Sequence, residues 1–151
     1  MPIYFYSNTD EYAYLSNFSA HGFELDGVYW PTVEHYFQAQ KFVETDPPYA
    51  EKIRLAKSPK QAKTLGRSRE HPIRADWEAV KDEIMWQAVL KKFQTHASLR
   101  DKLLATGDEE LIENAPTDYY WGAGRSGNGQ NKLGQILMAV RSHLQDSQGE
   151  S

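Results

Sequence analysis

The sequence predicts an α+β fold that is mostly α, a single compact multihelical domain with a small antiparallel β element. Its 151 residues, of which 40% are hydrophobic, suffice for one domain with a substantial core. Apolar residues recur mainly at helical spacing, and the strand-like segments are few and short. Because these segments do not alternate with helices, a parallel doubly wound sheet is a poor fit. We place the domain at residues 1–145 and a disordered tail at residues 146–151.

The first third of the chain predicts a strand, a hairpin and a helix. Residues 3–6 have the character of a short strand, and residues 23–29 suit a hairpin with an Asp-Gly pair at its centre. Pro31 and Thr32 then open a helix, which we expect to end near Pro47 because a second proline follows there.

The middle of the chain predicts three more helices. A short one covers about residues 49–56. Ser58, an N-cap followed by proline, opens the next helix, and Gly66 suits its end. A long helix runs from Asp76, its N-cap, to about Thr95 and carries apolar residues on two sides. We therefore expect this helix to be central and largely buried.

The last third of the chain predicts a helix, a strand, a loop and a final helix. Ser98 caps a helix that stops before Gly107, and residues 111–113 suit a short strand. A glycine-rich loop at residues 122–129 precedes an amphipathic helix at residues 132–144.

Composition excludes several classes of function. The net charge of -4 gives no general attraction to nucleic acid or to an anionic membrane. The absence of cysteine excludes disulfides, a thiolate nucleophile and cysteine-ligated zinc, and the five histidines have no metal-binding spacing. With no signal peptide and no apolar stretch near 20 residues, we expect a soluble cytoplasmic protein that binds no membrane. A basic stretch is either a solvated face or a contact for phosphate: Lys57, Lys60, Lys63, Arg67 and Arg69.

The loop at residues 122–127 matches the pattern G-x-G-x-x-G, but a dinucleotide-binding fold is not indicated. The loop follows an aromatic segment rather than a buried aliphatic strand, and its helix begins several residues late. Two interpretations stay open. Glycines before a helix can present N–H groups to a phosphate, with Arg125 adding charge, or the segment is a flexible surface loop.

The predicted helix after Pro31 carries an acid, an amide and an amine on one stripe. Glu34, Gln38 and Lys41 fall within about 60° of one another, beside the apolar face of the helix. Glu34 and Lys41 are about 10 Å apart along the axis, so they suit two sides of a small ligand better than a direct pair. A solvated stripe is the alternative. The many aromatic residues of the same helix favour the ligand hypothesis.

Several motifs resemble those of the NADAR superfamily and of its YbiA-like branch. They are FYS at 5–7, SNF at 16–18, EHYFQAQKF at 34–42, LGR at 65–67, Asp118 followed by YWG at 120–122, and NKLG at 131–134. The resemblance covers nearly the whole chain and implies a mostly helical domain with a small β element. Some members carry an acid after YWG, where this chain has Ala123, so any role of that acid is absent here.

The resemblance implies an N-glycosidase acting on the first intermediates of riboflavin biosynthesis. These are ribosylamino-pyrimidine phosphates, and cleavage of their C1–N bond releases ribose 5-phosphate. Other members remove ADP-ribose from guanine in nucleic acid, which is the alternative function. A third hypothesis is a non-catalytic module that binds ADP-ribose or NAD. We expect neither a metal nor a cofactor.

Glycosylamine chemistry assigns roles to three residues. Lys41, which the resemblance marks as functional, fits an amine nucleophile that forms a Schiff base at the sugar C1. Glu34 fits proton transfer or stabilisation of oxocarbenium-like charge, and Asp118 is the second carboxylate. Trp77 and Trp121 would stack on the base. Substrate binding is expected of Asn17, Gln38, Arg67, Trp77, Trp121, Gly122, Arg125 and Asn131.

Overall fold

The computed structural model describes residues 1–6 and 11–149, and this part of the chain contains six α-helices and four short strands. In order they are β1 (Ile3–Phe5), a 3-10 turn (Ala13–Leu15), β2 (Phe23–Leu25), β3 (Val28–Trp30), α1 (Val33–Gln40), α2 (Pro47–Arg54), α3 (Pro59–Gly66), α4 (Trp77–Thr95), α5 (Ala97–Ala105), β4 (Leu111–Glu113) and α6 (Lys132–Gly149). The predicted fold class, mostly α with small β elements, is confirmed.

The chain packs into two units. One comprises Met1–Ser19 together with Phe93–Ser151, and the other is Ala20–Lys92. Helix α4 begins in the second unit and ends in the first. The assignment of residues 1–145 to a single domain stays a prediction.

The unit Ala20–Lys92 begins with the predicted antiparallel hairpin. Strand β2 pairs with β3 in a register that places Phe23 opposite Trp30 and Leu25 opposite Val28. The turn residues Asp26 and Gly27 both have positive φ, at 57° and 78°. This conformation suits a two-residue hairpin turn, and an Asp-Gly pair adopts it at low cost.

Helix α1 lies at the centre of this unit. Thr32 caps it, since the Thr32 side chain accepts a hydrogen bond from the His35 amide. Seven of its eight residues are buried, and it packs against α2, α3 and β3. The helix ends at Gln40, well before the predicted end near Pro47, because the chain tightens there into bonds such as Phe42 N–H to Ala39 O, 2.9 Å.

The other helices of this unit form near the predicted positions, although α2 begins at Pro47, before the predicted start at residue 49. Asp46 caps α2 and Ser58 caps α3, each accepting a backbone amide with its side chain. Helix α3 ends at Gly66, as predicted. The long helix α4 begins at Trp77, but it is less buried than predicted, since most of its 19 residues are half-buried or exposed. Its buried residues are Trp77, Ile84, Met85, Ala88, Val89, Lys92 and Phe93.

The other unit contains a sheet that the sequence did not predict. Strands β1 and β4 pair in parallel, with Ile3 opposite Leu111 and Phe5 opposite Glu113. The predicted β element was antiparallel, and this second pair is not. Its two strands are far apart in the sequence, so local sequence patterns carry no signal for the pairing.

The helices of this unit differ from prediction at their ends. Helix α5 begins at Ala97, so Ser98 lies inside its first turn and His96 occupies the N-cap position. Helix α6 continues to Gly149, so residues 146–149 are helical rather than part of a disordered tail, while residues 150–151 lie outside the described residues. No proline interrupts residues 145–148, and the helix therefore propagates.

Asn131 joins α6 to β4. It has a positive φ of 52° directly before the helix. Its side chain accepts a hydrogen bond from Glu113 N–H and donates one to Leu111 O, both at 2.9 Å. Gly134 permits this contact, because a Cβ there would lie 2.1 Å from Leu111 O. The first and last residues of the NKLG motif, Asn131 and Gly134, therefore serve to pack the start of α6 against β4.

Within the described residues, no helix is both long enough and apolar enough to cross a membrane.

We expect Asn131→Gly and Asn131→Ala to separate the two contributions of Asn131 to this packing. The glycine variant loses two hydrogen bonds but tolerates the positive φ, so it should lower the free energy of unfolding by about 1–3 kcal/mol. The alanine variant should lose about 1–2 kcal/mol more, because an L-residue is strained at that φ. Urea denaturation measures both, with the exposed Asn114→Ala as control. Equal losses in the two variants would show that the backbone conformation contributes nothing.

Candidate active site

Glu34 is a buried acid in the first turn of α1. Only 7% of its surface is exposed. Its Oε2 accepts a 2.6 Å hydrogen bond from Nε2 of Gln38, one helical turn later. Burial raises the pKa of the Glu34 carboxyl group, while the Gln38 hydrogen bond and nearby cations oppose that rise. Such a carboxyl group is suited to hold a proton and to release it.

Lys41 directly follows α1 and is held at both its backbone and its side chain. Its carbonyl oxygen accepts the amide of Arg74 at 2.9 Å, and its Nζ donates to the Gly66 carbonyl at 3.1 Å. The Nζ also lies 6.0 Å from the centre of the Phe37 ring and 5.8 Å from that of Trp77. These contacts fix the amine in a half-buried, aromatic setting.

Burial lowers the pKa of the Lys41 amine to about 8. The charge of Glu34 opposes the shift, and the charges of Arg67 and Lys81 add to it. At pH 7 about a tenth of the amine would then be neutral, compared with less than one part in a thousand for an ordinary lysine. A neutral amine is a nucleophile, so the lowered pKa is compatible with the predicted role of Lys41, which stays a prediction.

Further cations act on the two groups. Lys63 in α3 and Arg67, which directly follows α3, lower the pKa of Glu34. Lys81 lowers the pKa of Lys41. Lys81 also pairs with Glu78 at 2.7 Å. This concentration of positive charge favours an anionic ligand. Lys81 is not among the predicted site residues, although it lies one helical turn after Trp77, which is.

Five predicted site residues therefore lie in the unit Ala20–Lys92: Glu34, Gln38, Lys41, Arg67 and Trp77. The structure brings Glu34 into contact with Gln38 and couples it electrostatically to Lys41 and Arg67. Trp77 packs on Phe37 with ring centres 5.0 Å apart. The stripe is thus a buried cluster, and the alternative of a solvated stripe is wrong for Glu34 and Gln38.

The other six predicted residues lie in the other unit: Asn17, Asp118, Trp121, Gly122, Arg125 and Asn131. Oδ1 of Asp118 accepts the amides of Tyr120 and Trp121 at 3.0 and 2.8 Å, which closes a turn. Its role as second carboxylate stays a prediction. Both amide atoms of Asn131 bond to β4. Asn17 and Trp121 are half-buried.

The glycine-rich loop uses many of its amides internally. The N–H groups of six residues donate to backbone carbonyls: Ala123, Gly124, Gly127, Gly129, Gln130 and Asn131. In this conformation those groups are not available to an anion, which weakens the phosphate hypothesis for the loop. Arg125 is exposed, and its contact with a phosphate stays a prediction, as does that of Gly122.

Among the described residues, no group of three or more histidine, aspartate or glutamate side chains is placed to hold a metal ion. The described side chains of the cluster supply an amine, a carboxyl group and surrounding cations.

Comparison with known proteins identifies the relatives of this chain. The model of the NADAR domain matches residues 4–145. An N-glycosidase of Nostoc punctiforme is 50% identical over 97% of this chain and 94% of its own length. The N-glycosidase YbiA of Escherichia coli is 49% identical over 94% of this chain and 88% of its own length.

Two further relatives extend the comparison. The NMR structure of E. coli YbiA matches 99% of this chain and 88% of that chain, with a TM-score of 0.91 and 47% identity. The chloroplastic riboflavin biosynthesis protein PYRR of Zea mays is 43% identical over 94% of this chain, which corresponds to 25% of the maize protein. The chain therefore belongs to the NADAR domain family and is an enzyme of its N-glycosidase group, the hydrolases of N-glycosyl bonds.

Proposed function

We propose that this enzyme hydrolyses the C1–N bond of ribosylamino-pyrimidine phosphates and releases ribose 5-phosphate. The observation that carries the proposal is the Lys41 amine, whose pKa of about 8 lets it act as a nucleophile beside a buried carboxyl group. Ribosylamines suit such an amine, because they ring-open to an iminium at C1 that another amine can attack.

In the first step the neutral Lys41 Nζ attacks C1 of the ring-opened substrate. A new C1–N bond forms, one proton passes from the Lys41 nitrogen to the pyrimidine nitrogen, and the old C1–N bond breaks. The pyrimidine amine leaves and a protonated imine between Lys41 and the sugar remains. Glu34, with its raised pKa, is suited to supply the proton that the ring oxygen takes up when the sugar opens, which leaves Glu34 ionised.

In the second step water adds to C1 of the imine. Glu34, now ionised, accepts a proton from that water, and the bond between C1 and Lys41 breaks. The products are ribose 5-phosphate and the free Lys41 amine, so the sum of both steps is the hydrolysis of one C1–N bond. The same carboxyl group thus donates a proton in one step and accepts one in the other.

The surroundings of the two groups support the proposed substrate class. The cations Lys63, Arg67 and Lys81 favour a phosphorylated sugar over a neutral one. Trp77 supplies an aromatic face for a flat heterocycle. The name of the maize relative assigns that protein to riboflavin biosynthesis, which is where such ribosylamines arise.

The direct test is to incubate the pure enzyme with freshly prepared intermediates and to follow ribose 5-phosphate. We expect release well above the spontaneous rate at each enzyme concentration. An oligonucleotide carrying ADP-ribosyl-guanine is incubated with the enzyme in parallel. Cleavage of that adduct without turnover of the ribosylamines would replace the proposed substrate by the alternative one.

We expect Lys41→Arg to be as damaging as Lys41→Ala, with activity lowered at least a hundredfold in both. Arginine keeps the positive charge but stays protonated, because its pKa is above 12, and it cannot attack C1. The measurement is the initial rate of ribose 5-phosphate release. The exposed Lys52→Arg on α2 is the matched control.

The same experiment has a covalent readout. Borohydride added during turnover should trap the sugar on Lys41, found by intact mass and peptide mapping. An active Lys41→Arg enzyme, with no trapped sugar in the wild type, would show that Lys41 binds substrate and that water is activated directly.

We expect kcat/KM to be bell-shaped in pH, rising on the acidic side because the Lys41 amine must be neutral and falling on the alkaline side because Glu34 must hold a proton. The rising limb carries the test, since only the deprotonated amine attacks. An ammonium group that merely holds phosphate would give no rising limb from Lys41. Rates are measured at constant ionic strength, and the spontaneous hydrolysis at each pH is subtracted.

We expect Lys63→Gln and Arg67→Gln each to raise KM for the phosphorylated substrate about tenfold, which corresponds to one lost charge-assisted contact of roughly 1.4 kcal/mol. The dephosphorylated substrate should show no such change. Lys60→Gln, at an exposed position of α3, is the control for a loss of charge alone. Equal effects on both substrates would exclude phosphate binding by these two side chains.

A further inference from the structure

The last turn of α3 contacts Lys41 and the side chain of Gln38, which holds Glu34. The carbonyl oxygen of Gly66 accepts the hydrogen bond from Lys41 Nζ at 3.1 Å. The other side of the same residue faces the Gln38 amide, and a Cβ on Gly66 would lie 2.0 Å from Gln38 Oε1 and 2.7 Å from its Cδ. Distances this short are excluded by van der Waals repulsion, so the Gln38 side chain and any side chain at residue 66 compete for one space.

Backbone conformation does not explain this glycine. Gly66 lies within α3 and is not one of the glycines with positive φ. In a helix, alanine is more favourable than glycine, so local stability alone would select alanine here. The requirement is therefore for space beside Gln38.

The Gln38 amide uses that space to hold Glu34. Its Nε2 donates to Glu34 Oε2 at 2.6 Å. Its Oε1 is buried and has no hydrogen-bond partner among the described residues, which is costly in a protein interior. An amide can rotate to offer either its N–H or its oxygen. The Gln38 side chain can thus serve the ionised carboxylate as a donor and the protonated acid as an acceptor.

We infer that Gln38 and Gly66 are positioning residues for Glu34: the missing side chain of Gly66 gives the Gln38 amide the room to hold the acid in both of its protonation states. This inference rests on the proposed function for its catalytic meaning, although the contacts themselves do not. It assigns Gln38 to the support of Glu34 rather than to direct contact with substrate. Through the space beside it, Gly66 then acts on Glu34 without contacting that carboxyl group.

The first test measures Lys41 without any substrate. Formaldehyde with cyanoborohydride methylates neutral amines, and peptide mass spectrometry across a pH series gives the midpoint for Lys41 in the full-length protein. Gln38→Leu removes the amide, which leaves Glu34 less ionised and Lys41 with less support for its charge. We expect the midpoint to fall by at least half a pH unit.

Gly66→Ala should lower the same midpoint by a similar amount, since the added methyl group displaces the amide that Gln38→Leu removes. In the double variant the Lys41 midpoint should fall by no more than the larger of the two single shifts, because both changes act through one contact. Thr64→Ala, on the exposed side of the same helix, should leave the midpoint unchanged. An unchanged or raised Lys41 midpoint in folded Gly66→Ala would overturn the inference. It would show that the added methyl group does not displace the Gln38 amide from Glu34.

Kinetics supply the second readout. With each variant at its own optimal pH, Gln38→Leu and Gly66→Ala should lower kcat at least tenfold with KM changed less than threefold, because Glu34 is no longer held in position. A raised KM at unchanged kcat would show that Gln38 binds substrate and would overturn the positioning role. If Gly66→Ala does not fold, Gln38→Leu decides the question by both readouts. If the wild type does not turn over the ribosylamines, the proposed function fails while the methylation series still tests the contact.

Discussion

The burial of α1 is the constraint on which the unit Ala20–Lys92 depends. The helix is covered by α2, α3 and β3, and its buried residues include Glu34 and Gln38. Polar groups in such a place must find partners within the protein, because water cannot supply them. Removal from water also raises the pKa of Glu34 and lowers that of Lys41, which brings the two values towards each other. Packing and chemistry are thus consequences of the same burial.

The motifs that carry the family resemblance divide between chemistry and packing. EHYFQAQKF contains the acid, the amide and the amine of the site. NKLG serves packing, since Asn131 bonds to β4 and Gly134 gives it room. LGR joins both roles, because the Leu65 carbonyl accepts the Tyr49 hydroxyl and the Gly66 carbonyl accepts Lys41. A motif shared with an enzyme family therefore does not by itself mark a contact with substrate.

Features set by neighbouring residues could be predicted from the sequence, and those set by distant ones could not. The hairpin at Asp26 and the capping of α3 by Ser58 depend on a few adjacent residues. The stripe of Glu34, Gln38 and Lys41 followed from helical spacing alone. The parallel pairing of β1 with β4 and the hydrogen bond from Lys41 to Gly66 each join segments far apart in sequence. No local pattern records which distant backbone will cover a helix face, so the role of Gly66 emerged only from the fold.

The tether of Lys41 at both ends has a consequence for the entropy of the reaction. A lysine side chain on a surface samples many rotamers, and fixing it costs about 1.5–2 kcal/mol. Here the Arg74 amide fixes the backbone and the Gly66 carbonyl fixes the amine, so that loss occurs once, during folding. Each encounter with substrate then starts from an amine already confined in position. The Lys41 side chain loses its conformational freedom when the protein folds. Its reaction with the bound substrate therefore requires a smaller further loss of entropy.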